Sequence, residues 1–122
     1  FLIGRVEPSK IHEYYNSADV FIHNSNYETF SIVVAEAIGH GVPVVVTRCG
    51  GPEEFVNEKC GLMIDVKNDK KLLDAMEYMY HNHKSYNGTE MNHYIRSKYS
   101  EEIIGNRLNN IYSMFNKENE RK

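Results

Sequence analysis

Glu28 and Glu36 are separated by seven residues in the run Tyr27-Glu28-Thr29-Phe30-Ser31-Ile32-Val33-Val34-Ala35-Glu36, which switches from polar to apolar along its length. Thr29 and Ser31 suit the cap of a helix that the small and apolar residues from Ser31 to His40 would form. Glu28 is then expected on the entry loop. At about 1.5 Å per helical residue, Glu36 would lie up to ~12 Å further along and roughly 80° round. The first N–H groups of a helix lack internal acceptors and carry the positive end of its dipole, so a diphosphate is well accommodated there. A carboxylate on either side accepts hydrogen bonds from hydroxyls, as the acidic residue of a dinucleotide fold grips a ribose. The arrangement suits sugar, diphosphate and ribose in that order. A plainer alternative makes Glu28 an ordinary acid stabilised by the helix dipole and Glu36 a solvated helix position. Against it, Glu36 stands in a segment apolar nearly all round, where an ionised carboxylate is costly unless a partner satisfies it. A ligand is one such partner.

The elements that must position these acids follow from the flanking residues. Gly39-His40-Gly41-Val42-Pro43 reads as a helix stop, and Val44-Val45-Val46-Thr47 as a strand buried on both faces. Gly50-Gly51-Pro52 makes a tight turn, and Glu53 to Val56 begins a short helix. A strand, glycine turn and helix in that order lets backbone approach a ligand closely.

Several blocks together resemble a known family: Ala18-Asp19-Val20-Phe21-Ile22, Ser25, Tyr27-Glu28-Thr29-Phe30-Ser31, Glu36-Ala37, Gly41-Val42-Pro43-Val44-Val45, Gly50-Gly51-Pro52-Glu53-Glu54 and Gly61-Leu62. In order and spacing, over roughly residues 1 to 65, they resemble the C-terminal, donor-binding domain of the retaining family 4 glycosyltransferases of GT-B architecture. The resemblance implies an α/β, Rossmann-like parallel sheet and transfer of a sugar from a nucleotide diphosphate sugar to an acceptor hydroxyl, without a metal or other cofactor. It implies that Glu28, the catalytic-site acid, contacts the donor sugar, that the backbone of Thr29, Phe30, Ser31 and Ile32 supplies amides to sugar and diphosphate, and that Glu36 holds the ribose. Gly50 and Gly51 would lie near the donor, and Gly4 and Arg5 near the base. Many family members carry glycine at positions 29 and 31; Thr29 and Ser31 still donate amides but narrow the allowed dihedrals.

The chain has 122 residues and a net charge of -3, enough for one domain with a modest core. Phe1-Leu2-Ile3-Gly4 opens on a strand without a start methionine, so a fragment of a longer polypeptide is expected. Its first two strands, a basic pair that neutralises the departing diphosphate, and the N-terminal acceptor domain would lie upstream. Residues 1–116 would form the partial donor domain and 117–122 a polar tail. A noncatalytic binding subunit, or one half of a split transferase, is the alternative. In the order 3-2-1-4-5-6, Phe1 to Ile3, Val20 to Asn24, Val44 to Thr47 and Leu62 to Ile64 would be strands three to six. The last three would pair in parallel. The first would move beside the fourth or pair with another molecule, and an exposed fourth-strand edge would favour oligomers.

Helices are expected at Pro8 to Asn16 with Ile11 and Tyr14 or Tyr15 inward, from Asn68 or Asp69 to about Asn82 with Leu72, Leu73, Met76, Met79 and Tyr80 in helical spacing, at Gly88 to Tyr99, and from Glu101 to about Phe115 after a Ser100 cap. Ile103, Ile104, Leu108, Ile111, Tyr112 and Phe115 give the last helix an apolar face. His81 and His83, two apart on a helix, point away from each other, and no metal site is expected. Cys49 and Cys60 fit no paired metal motif and read as free thiols in a reducing cytoplasm. Asn87-Gly88-Thr89 matches a glycosylation acceptor, though nothing in the composition indicates secretion. The charge leaves no nucleic-acid footprint, and no apolar run approaches the ~20 residues of a membrane span. A cytoplasmic protein is expected. The resemblance allows peripheral contact with the inner membrane face through the N-terminal domain.

Overall fold

The computed structural model describes residues 1–119. Three parallel strands, β1 (Phe21–His23), β2 (Val44–Thr47) and β3 (Gly61–Ile64), form a sheet in the order β1-β2-β3. Phe21 pairs with Val44 and Val44 with Gly61 at the start of each ladder. Helix α1 (Ile11–Ser17), entered by a 3-10 turn at Pro8–Lys10, precedes β1, and α2 (Ile32–Gly39) joins β1 to β2. Helices α3 (Asp69–Asn82), α4 (Gly88–Tyr99) and α5 (Glu101–Asn119) follow β3.

The β-branched run of β2 is buried at every residue. Side chains alternate across a strand, so Val44 and Val46 join one core with Val34 and Ile38 of α2, Phe55, and Met91 and Ile95 of α4. Val45 faces the other side, with Ile64, Ala75 and Met79 of β3 and α3. Each fully buried aliphatic or aromatic side chain contributes about 1.5–3 kcal/mol relative to exposure. This two-faced burial makes β2 the centre of the fold. Gly41 and Gly88 meet where α4 begins: a Cβ on Gly41 would lie 3.0 Å from the Gly88 Cα. Two residues without side chains therefore set how closely α4 approaches the turn after α2.

Helix boundaries agree closely with the capping signals. Asn68 accepts the Lys71 amide at 3.0 Å, Asn87 accepts the Glu90 amide at 3.2 Å, and Ser100 Oγ accepts the Ile103 amide at 3.4 Å. Asn87 of the glycosylation-like triplet is thus the cap of α4. Tyr15 is the inward residue of α1, whereas Tyr14 is exposed. The last helix runs past Phe115 to Asn119, and the expected polar tail at 117–122 lies in part outside the described residues, which end at Asn119.

Three expectations need correction. Phe1–Ile3 forms no strand and lies exposed, neither beside β1 nor in any other ladder among the described residues. Unlike those of the equally short β1, its side chains meet no apolar surface, so nothing offsets about 1–2 kcal/mol of backbone entropy per ordered residue. On α3, Leu73, Met76 and Tyr80 are exposed while Leu72, Ala75 and Met79 pack inward, because the sheet face that α3 covers, around Val45 of β2 and Leu62 and Ile64 of β3, is only two four-residue strands wide. Glu36 is exposed rather than enclosed by apolar neighbours, since Val34, Ala35, Ala37 and Ile38 supply the buried face of α2 and Glu36 falls on the other.

Candidate functional site

The Glu28–Ser31 loop lies between the end of β1 and the start of α2, where ligands of open α/β sheets collect at the carboxyl ends of the strands. Its backbone is clasped by the glycine turn. The Glu28 amide donates to the Cys49 carbonyl and the Gly51 amide to the Glu28 carbonyl, both at 2.8 Å, so that Glu28 and Gly50 form an isolated parallel bridge. A Cβ on Gly51 would fall on the Phe30 backbone. Gly51 therefore admits the protein's own loop. The Phe30 ring anchors the loop to the core, 5.1 Å from Phe55 and 5.2 Å from Tyr99 between ring centroids.

Ser31 ends the loop in the left-handed region, at φ 70° and ψ 72°. A residue with a side chain pays roughly 1–2 kcal/mol there relative to glycine. The side chain does not cap α2. Instead Ser31 Oγ lies 3.3 Å from His23 Nε2, and the same nitrogen lies 2.9 Å from Glu28 Oε1. The Ser31 carbonyl accepts the amides of Val34 and Ala35 at 3.1 and 3.3 Å. The Ile32 and Val33 amides precede that ladder and are the first orphan donors of the helix.

Glu36 is held differently. The Tyr15 hydroxyl lies 3.1 Å from Glu36 Oε2 and 3.2 Å from the Val33 carbonyl. It has one proton, and the charged oxygen is the stronger acceptor. Burial, followed by the Glu36 charge, pushes the Tyr15 phenol up to about 12. The ring stacks on His40 at 5.2 Å, and His40 Nδ1 in turn lies 2.9 Å from Asn16 Oδ1. Beside Glu36 a groove of about 550 Å³ runs between α2 and α4, lined in part by Phe30, Ile32, Arg96 and Tyr99. Glu28 is not part of that lining, so the acids flank the helix start without sharing one cavity.

The fold thus brings Glu28, Thr29, Phe30, Ser31, Ile32, Glu36, Gly50 and Gly51 into one neighbourhood. Gly4 and Arg5 lie in the exposed irregular segment before α1, and no hydrogen bond or ion pair among the described residues joins them to it. Sequence reading missed His23 and Tyr15 as the groups that hold the two acids. His23 closes a strand pointing at the site, which was a usable signal; Tyr15 left none. Both cysteines are buried free thiols. Among the described residues no cluster of three or more His, Cys, Asp or Glu could hold a metal ion, and no helix is long and apolar enough to cross a membrane.

Comparison with known proteins agrees with the fold. Residues 1–97 match the family model described as glycosyl transferases group 1. A GDP-mannose-dependent alpha-mannosyltransferase of Mycobacterium tuberculosis is 37% identical over 76 residues, covering 61% of this chain and 20% of that protein. An uncharacterized glycosyltransferase of Methanocaldococcus jannaschii is 32% identical over 123 residues, covering 92% and 30%. The chain therefore spans only about a fifth to a third of these relatives. Sucrose-phosphate synthase from Thermosynechococcus elongatus shares the fold, with a TM-score of 0.85 over 93% of this chain and 29% of that one, at 22% identity. With four-fifths of its residues inside the family model, the chain belongs to the group 1 glycosyl transferases.

Proposed function

We propose that this chain is the C-terminal, donor-binding domain of a retaining family 4 glycosyltransferase of GT-B type, and that it acts with an N-terminal acceptor domain. The donor is a nucleotide diphosphate sugar. Glu28 accepts hydrogen bonds from the sugar hydroxyls, the amides of Thr29 to Ile32 face the diphosphate, and Glu36 accepts from the ribose. The observation that carries this reading is the pair of acids flanking a helix start whose Ile32 and Val33 amides precede the first intrahelical bond.

As the bond between the anomeric carbon and the diphosphate breaks, negative charge grows on the leaving oxygens. Preorganised amides stabilise that charge most where it develops. In this reading they and cations of the complete enzyme do so without a metal. Glu28 orients the sugar; attack comes from the acceptor hydroxyl, and the product keeps the donor's anomeric configuration. Gly50 and Gly51 support the loop from behind, and Gly4 and Arg5 lie toward the base. The enzyme works in the cytoplasm.

The names of the mannosyltransferase relatives make GDP-mannose the first donor to try. Calorimetric titration of the complete polypeptide against GDP-, UDP- and ADP-sugars should give saturable binding for one nucleotide class, weakened by Glu36→Ala. Absence of binding across the panel would sink the donor assignment, and an inverted anomeric centre in the product, read by NMR, would sink retention.

A further inference from the structure

We propose that His23 is a positioning residue for the transfer reaction, fixing the Glu28 carboxylate and the Ser31 hydroxyl through one ring nitrogen. The proposal rests on the reading of Glu28 as the sugar-facing acid. A carboxylate has no proton to give, so the 2.9 Å contact between His23 Nε2 and Glu28 Oε1 requires that Nε2 carry the proton. Ser31 Oγ, 3.3 Å from the same nitrogen, can then only share that N–H as an acceptor. The Ser31 hydroxyl keeps its own proton for another oxygen.

The two partners differ in rigidity, and this gives the contact a direction. His23 belongs to β1 and pairs in register with Val46 of the buried central strand. Its ring stacks on Phe21 at 6.2 Å with an interplanar angle of 12°, and its side chain is 18% exposed. The Thr47 hydroxyl donates to the Ser25 carbonyl at 2.5 Å and closes the chain just beyond the ring. Glu28 sits on a loop, and its side chain is 30% exposed. The fixed member therefore orients the free one. Sites are held most sharply when a loop group is tied to a packed element. Ser31, in its left-handed conformation, is tied by the same nitrogen, so the amides that follow it share the anchor.

The test uses the complete transferase with His23→Ala, His23→Leu and His23→Gln. Leucine fills much of the ring's volume without a donor; the glutamine amide nitrogen reaches the position of Nε2. With the best donor, Ala and Leu should lower kcat by about 10- to 100-fold, the size expected for a small misplacement of a reacting group, with little change in donor KM. Gln should recover most of the loss. Equal activity of the Leu and Gln variants would mean that the ring only fills space and would overturn the proposal. A second readout needs no turnover. Nitrogen NMR of the imidazoles in the donor-free protein should show Nε2 of His23 protonated, with a signal that moves on Glu28→Gln. An unprotonated Nε2 overturns the proposal outright. Should the unaltered protein bind no nucleotide sugar, the functional reading fails, while the nitrogen spectrum still decides whether His23 holds Glu28.

Discussion

The two ends of the α2 start hold their carboxylates by opposite means. Glu28 stands on a loop whose every restraint comes from elsewhere in the chain: the Cys49 carbonyl, the Gly51 amide, the Phe30 ring packing and the His23 imidazole. Glu36 stands within a helix, where the backbone ladder fixes its Cα, and one phenol from α1 fixes its exposed side chain. A loop acid needs many anchors and couples to all of them. A helix acid needs one, and its perturbation stays local.

The largest effect expected from this contrast is on chemistry at the loop end. Glu28→Ala should lower kcat by about 100- to 1,000-fold, the range found when a preorganised polar group is removed from a reacting centre, with donor affinity little changed. Comparable losses of turnover and of affinity from Glu28→Ala and Glu36→Ala alike would erase the distinction. Next comes the clasp. Gly51→Ala should destabilise the fold by about 1–3 kcal/mol through overpacking against Phe30, seen as a lower urea midpoint, and should weaken donor binding with it. An unchanged midpoint would show that the loop yields freely and is less restrained than the contacts suggest. Glu36→Ala should raise the donor Kd by about 10-fold, as for the loss of a charge-assisted hydrogen bond worth roughly 1.5 kcal/mol, while leaving the urea midpoint nearly in place.

The smallest effect concerns the phenol. Tyr15→Phe should raise the donor Kd only about two- to fivefold, since one neutral donor contributes about 0.5–1 kcal/mol. Its signature is in alkali. The folded phenol titrates at about 12, above its ordinary value of 10, so the fold holds that proton more tightly than the unfolded chain. The contribution is complete below pH 10 and is lost as pH rises from there through about 12. Denaturant titrations should show the parent losing stability across that window faster than Tyr15→Phe. Parallel curves would detach Tyr15 from Glu36.

The order of strands and helices was readable because each is declared locally. Val44-Val45-Val46 has few states other than a doubly buried strand, and Asn68, Asn87 and Ser100 announce helix starts through their own side chains. The acids and the glycine turn were likewise readable as neighbours, since short connections keep them at one end of the sheet. What was not readable depends on distant partners. Tyr14 and Tyr15 are equivalent in composition, and only the packing of α1 on α2 chooses Tyr15. His23 is one of six histidines, and its proximity to Glu28 follows from how the loop turns back. The exposure of Glu36 escaped a view limited to apolar neighbours along the chain. The face of the helix it occupies is decided by β2 and α4.

The contact between Gly41 and Gly88 reaches further than its place at the turn suggests. Asn92, one helical turn along α4, donates to the Gly39 carbonyl, so α4 is tethered to the end of α2 just beyond that contact. With its N-terminal end pinned this closely and Met91 and Ile95 buried in the core beyond it, α4 holds Arg96 and Tyr99 along the groove beside Glu36. A methyl group added at either glycine would meet the other's backbone and displace the start of α4. The aperture next to an acid on one helix is thus governed by the bareness of two backbones on the opposite side of the turn.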